Sequence, residues 1–198
     1  MAKNMQPVLK RCRTLGVSPA AMGYSKTSNK NPGGQRRAKK SEYATQLTEK
    51  QKVKFVYGIQ EKQFRNYYEK ASRMAGNTGD ELLTFCERRL DNVVYRLGYA
   101  MSRAEARQMV SHGHITVNGR KVNVPSYQVK PGMVIALKET SRGIEKIKAN
   151  IEANAFRPAP KWLEYDANNA MAKVVAVPAR DDIDLPIEEH LIVELYSK

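Results

Sequence analysis

RRLDNVVYRLGYAMSRAEARQMVSHGHITVNGRKVNV, residues 88–124, changes its apolar period part-way along. Leu90, Val93, Val94 and Leu97 recur at helical spacing and Gly98 follows, so one apolar stripe ends at a residue suited to the left-handed conformation. A second helix is predicted from Ser102, whose hydroxyl can accept from the first-turn donors while Glu105, three residues on, reaches back to the cap. Ala106, Met109 and Val110 supply its buried face, and Gly113 ends it. His114-Ile-Thr-Val then alternates into Asn118-Gly119, a pair that tolerates positive φ at both positions, and residues 120–124 return as the second strand of a hairpin.

The polar positions of this stretch are nearly all basic. Arg88, Arg89, Arg96, Arg103, Arg107, Arg120 and Lys121 stand against Asp91 and Glu105. Arg103 and Arg107 are four apart and share a helix face, where like charges repel unless something negative lies across them; phosphate is the natural anion. His112 and His114 add two imidazoles at the strand entrance. The plain alternative is a solvated helix face, and the sharper one is a nucleic-acid-binding module.

Charge over the whole chain favours the sharper reading. The 198 residues carry 34 Lys and Arg against 20 Asp and Glu, a net +14, more than an acidic small-molecule substrate requires. Residues 1–40 hold ten basic and no acidic side chains, residues 89–150 eleven against four, and residues 151–198 five against nine. Positive charge is therefore concentrated in the N-terminal arm and the central motif.

Two cysteines, Cys12 and Cys86, make no disulfide framework and are expected reduced; no run approaches a membrane span or a secretory signal. A basic, acid-free start could be a transit peptide, but Pro7, Pro19, Pro32, Gly33 and Gly34 break the amphipathic helix that one needs.

The arm, residues 1–40, reads as a mostly irregular basic extension with a short helix near residues 8–15, its cations Lys3, Lys10, Arg11, Arg13, Arg36, Arg37, Lys39 and Lys40 set for phosphates. Its removal is expected to leave a folded protein. Ser41 caps a helix that stops at Gly58, residues 60–75 form a second, and Thr78 with Glu81 boxes a third that carries Leu82, Leu83, Cys86 and Leu90 onward into the motif. Phe64, Tyr67 and Tyr68 could stack on bases, yet spacings of three and four favour helix packing. Lys50, Lys54 and Arg65 on the outer faces are candidate phosphate contacts.

Beyond the hairpin, residues 133–137, 162–165 and 173–177 read as strands, 144–155 as a helix, and Asp184 and Pro186 start a closing helix with Leu191, Ile192 and Leu195 inward. The fold class is α+β: a helical domain, then a helix-turn-helix-like RNA-binding motif on a small antiparallel sheet, preceded by an irregular basic arm. The expected domains are the arm 1–40, a helical domain 41–87 completed by 186–198, and an RNA-binding domain 88–185.

The sequence offers little for catalysis. His112 and His114 lack a third metal ligand nearby, and the run of Asp181, Asp182 and Asp184 lacks the converging carboxylates of two-metal chemistry. There is no phosphate-binding glycine loop with its lysine and no nucleophile elbow. The chain does not read as an enzyme and no cofactor is expected.

RLDNVVYRLG, SRAEARQMVSHGHITVNGRKV, PSYQVKPGMVIAL and the tail LPIEEHLIVELYSK together resemble the bacterial-type family of small-subunit ribosomal protein four, and the likeness runs essentially the length of the chain. Many members hold a zinc with four cysteines in the arm; here Cys12 stands alone and Leu9 occupies the neighbouring position, so the chain resembles the zinc-free branch.

The resemblance implies a structural constituent of the small subunit that binds its ribosomal RNA early, nucleates body assembly and bears on translational accuracy. It also implies contact with small-subunit ribosomal protein five and with mRNA near the entry channel, and in some members repression through the protein's own mRNA leader. The same RNA-binding module occurs on pseudouridine synthases and some tRNA synthetases, which need a separate catalytic domain that no segment here could encode.

Overall fold

The computed structural model describes residues 6–26, 41–166 and 169–197; Lys3, Arg36, Arg37, Lys39, Lys40 and the middle of the predicted 166–169 turn lie outside them. In chain order the helices are α1 (Val8–Leu15), α2 (Glu42–Tyr57), α3 (Glu61–Ala71), α4 (Thr78–Glu87), α5 (Leu90–Arg96), α6 (Arg103–His112), α7 (Glu139–Arg142), α8 (Glu145–Asn154) and α9 (Glu189–Ser197). The strands are β1 (Ile115–Val117), β2 (Arg120–Lys121), β3 (Val134–Leu137), β4 (Leu163–Asp166) and β5 (Met171–Val174), so the fold is α+β, as the sequence predicts. Contacts divide the chain into two units, Met1–Gly79 with Leu185–Lys198 and Asp80–Asp184.

In the first unit Ser41 Oγ accepts from Ala44 N at 3.3 Å and Gly58 turns left-handed, which sets both ends of α2. α2 packs on α9, whose Ile192 is fully buried while Leu191 and Leu195 are half-buried. Phe64 and Tyr67 of α3 are buried and Tyr68 stacks on Tyr196 at 4.7 Å, so these rings pack helices. α3 ends at Ala71, short of the predicted Ala75. Its sequel corrects a second expectation: Asn77 Oδ1, not Thr78, takes the first-turn N–H of α4, from Gly79 at 3.0 Å.

The described part of the arm is also more ordered than composition suggests. α1 lies against α2, and Cys12, Leu15 and Met22 close over Phe55 in a small core. The predicted helix at residues 8–15 is present as α1, and Ala20–Met22 adds a short 3-10 turn that the sequence did not signal.

In the second unit the predicted run from α4 into the motif is broken. Arg89 is extended (φ −67°, ψ 135°), and the backbone of 88–90 pairs with 127–129 through Leu90 N to Tyr127 O and Val129 N to Arg88 O, each 2.9 Å. Helical periodicity continues across the break because both helices face one core, so the pattern could not reveal it.

The sheet is antiparallel throughout in the order β2-β1-β3-β5-β4, with Thr116 opposite Lys121 and Ala136, and Ala172 opposite Ile135 and Tyr165. Alternate residues Ile115, Val117, Ile135, Leu137, Ala172 and Val174 bury one face with Val93, Val94, Val110, Ile147 and Trp162. Asn118 and Gly119 have φ of 49° and 77°, the twin positive values of a tight hairpin turn. β2 stops at Lys121, before the predicted Val124, and β5 starts two residues and ends three residues earlier than predicted, which leaves Val175 and Val177 exposed.

Candidate nucleic-acid interface

The helix arginines Arg89, Arg96, Arg103 and Arg107 of the central motif turn to partners within the fold. Arg89 is 2% exposed and grips Asp91 with Nε and Nη2 at 3.0 and 2.6 Å. Arg107 Nη1 reaches the same carboxylate at 3.3 Å, so Asp91 supplies an anion opposite Arg107 within the fold. Arg103, 8% exposed, donates through Nε to Asn92 Oδ1 at 2.8 Å and lies 4.4 Å over the Tyr95 ring.

Arg96 donates to Glu87 Oε1 and to Asp184 Oδ2 at 2.9 and 2.7 Å, and Arg88 Nε to the Val129 carbonyl at 2.8 Å. Asn92 Nδ2 ties Glu87 into the same network at 2.6 Å. The expectation that Arg89, Arg96, Arg103 and Arg107 present their charge outward is therefore corrected: buried guanidiniums require anions, and the α4–α5 break brings Glu87 and Asp91 to them.

Outward charge gathers instead where α6 meets the hairpin. His112 is exposed in the last turn of α6, Gly113 turns at φ 75°, and His114 opens the strand with Nδ1 2.9 Å from Ser141 Oγ. A Cβ at Gly113 would collide with Lys121 Cε, which shows the lysine stem lying across the turn. Lys138 follows β3, and its N–H donates to the His114 carbonyl at 2.9 Å. Burial first, then the positive charges of His112, Lys138 and Lys121, hold the His114 imidazole below the usual histidine range. Arg120 is exposed beside Lys121, and among the described residues no carboxylate pairs with Arg120, Lys121 or Lys138.

Sequence reasoning missed Lys138, which follows the strand in register with β1 through Ile115 and Leu137; pairing those two predicted strands would have pointed to it.

The first unit gives a more mixed surface. Lys50 and Lys54 share one carboxylate, Glu61, at 3.0 and 2.5 Å, and Tyr196 donates to it at 2.7 Å. Arg65 pairs with Glu69 at 3.4 Å on an exposed face. Lys10 and Arg13 are exposed on α1, while Arg11 Nη2 donates to Gln51 Oε1 at 3.2 Å.

A zinc does not fit the arm as described. Cys12 is buried with Sγ 3.8 Å from Met22 Sδ, burial pushes its thiol up, and among the described residues no group of three His, Cys, Asp or Glu could hold a metal.

Comparison with known proteins gives matches along most of the chain. The family model described as "Ribosomal protein S4/S9 N-terminal domain" matches residues 3–87 and the "S4 domain" model residues 88–135; they meet at the break between α4 and α5. The small ribosomal subunit protein uS4 of Agathobacter rectalis is 52% identical over the whole of both chains. Its counterpart in Acetivibrio thermocellus is 57% identical over 95% of this chain and 88% of the relative, and that of Pelotomaculum thermopropionicum 61% over 83% and 79%.

Proposed function

Because this chain belongs to the small ribosomal subunit protein uS4 family, we propose that it binds small-subunit ribosomal RNA chiefly through phosphates, with the corner of His112, His114, Arg120, Lys121 and Lys138 as a principal contact. As a member it is a structural, RNA-binding protein of the small ribosomal subunit, not an enzyme, and its place is the ribosome in the cytoplasm. Among the described residues no helix is long and apolar enough to cross a membrane.

One contrast carries the RNA contact. Arg89, Arg96 and Arg107 are matched by carboxylates inside the fold, whereas Arg120, Lys121 and Lys138 meet no carboxylate among the described residues. Unmatched cations on a folded edge attract a polyanion and release its counterions, and they grip backbone more readily than base edges. Lys10, Arg11, Arg13 and Arg65 extend the contact in a supporting role, as do Lys3, Arg36, Arg37, Lys39 and Lys40 beyond the described residues; Lys50 and Lys54 retain one net charge with Glu61.

The family resemblance supports the finer role: early binding that nucleates assembly of the subunit body, a neighbouring small-subunit ribosomal protein five, mRNA near the entry channel, and an influence on accuracy. Repression through its own mRNA leader would be a second activity of the same surface.

The test is the salt dependence of binding to a small-subunit ribosomal RNA transcript. Lys121→Gln and Lys138→Gln should each weaken binding and lower the slope of log affinity against log salt by about one. Unchanged slopes would remove the corner from the RNA contact.

A further inference from the structure

The corner at the end of α6 holds two imidazoles and two ammonium groups around a single glycine. His112 and His114 flank Gly113 with ring centroids 6.1 Å apart, and the Lys121 stem passes over the turn between them. β3 delivers Lys138, and α7 delivers Ser141, whose hydroxyl occupies His114 Nδ1 at 2.9 Å and leaves Nε2 for an incoming group. Towards α8, both histidines line a shallow pocket floored by Met109 and Ile147. The one carboxylate on that pocket, Glu105, is paired with Lys146 at 2.8 Å. His112, Lys121 and Lys138 act on His114 as positive charges, α7 also carries Glu139 and Arg142, and Glu105 is already matched.

Resting on the RNA-binding reading above, we propose that this corner seats a phosphodiester of the RNA backbone and that His114 takes up a proton as the phosphate arrives. In the free protein burial and the surrounding positive charge keep the imidazole largely neutral at pH 7. A phosphate oxyanion supplies the missing negative charge, reverses the local potential and turns Nε2 into a charge-assisted donor. Protonation and binding then reinforce each other reciprocally. One proton taken up lowers affinity by at most about tenfold for each unit of rising pH, and only between the titration of His114 in the free protein and its higher titration in the complex.

The full-length protein is titrated with a small-subunit ribosomal RNA transcript at fixed ionic strength between about pH 5.5 and 8.5, a window set around the ordinary histidine value. Affinity is expected to fall several-fold as pH rises, and His114→Gln to flatten that fall. In the intact protein the ring resonances of His114 should titrate at higher pH in the complex than free, a readout that does not depend on how the variant folds. Tight binding with the same pH dependence in His114→Gln, or with an unmoved ring titration, overturns the proton uptake and leaves the RNA reading standing. No RNA binding at any pH overturns both.

Discussion

Asp91 lies between two guanidiniums, Arg89 and Arg107, with 5% of its side chain exposed. Asp91→Asn would leave both cations without their anion in a low-dielectric site, and the expected loss is about 3–5 kcal/mol in urea unfolding. Arg103→Ala with Arg107→Ala should likewise show first as lost stability, since both side chains hold α5 and α6 together.

Glu61 offers a pH test. Burial opposes its ionisation, but hydrogen bonds from Lys54, Tyr196 and Lys50 outweigh it and bring its pKa to about 2. A depressed folded value adds stability that is complete above the unfolded value, about 4.3, and disappears as pH falls towards about 2. Glu61→Gln should therefore melt lower than the parent at pH 7 and converge with it near pH 2 in thermal scans. Because the group is well exposed, solvent screening keeps the difference modest.

Two elements show where local chemistry and tertiary contact divide the work. Thr78 with Glu81 has the spacing of a capping box, but α4 starts one position earlier in its capping, on Asn77. Asn77→Ala should cost about 1 kcal/mol in denaturant unfolding while Thr78→Val changes little; the reverse order would restore the box. The hairpin is the opposite case, since Asn118-Gly119 dictates its own turn and the structure adopts it. α7 escaped prediction because four residues carry no period. The helix break at Arg88 and Arg89 escaped for another reason: the backbone partner there lies at residues 127–129, across the whole motif.

Across the molecule, removing residues 1–40 would strip Cys12, Leu15 and Met22 from Phe55. The remaining chain is expected to fold with lower stability, by about 1.5–3 kcal/mol for each large apolar side chain whose burial is lost, read as a lower melting temperature, and with weaker RNA affinity. An unchanged melting temperature would mean that this small core contributes nothing.

The sequence by itself determined the α+β class, the caps at Ser41 and Ser102, the turn at Asn118-Gly119, the basic balance and the family likeness. Each depends on composition or on residues a few positions apart, where periodicity and local hydrogen bonding act. Only the tertiary structure decided which cations are available to a polyanion. Pairing Arg89 and Arg107 with Asp91, Arg96 with Glu87 and Asp184, and gathering His112, His114, Lys121 and Lys138 at one corner depends on where the chain folds back, and charge patterning carries no record of that distance.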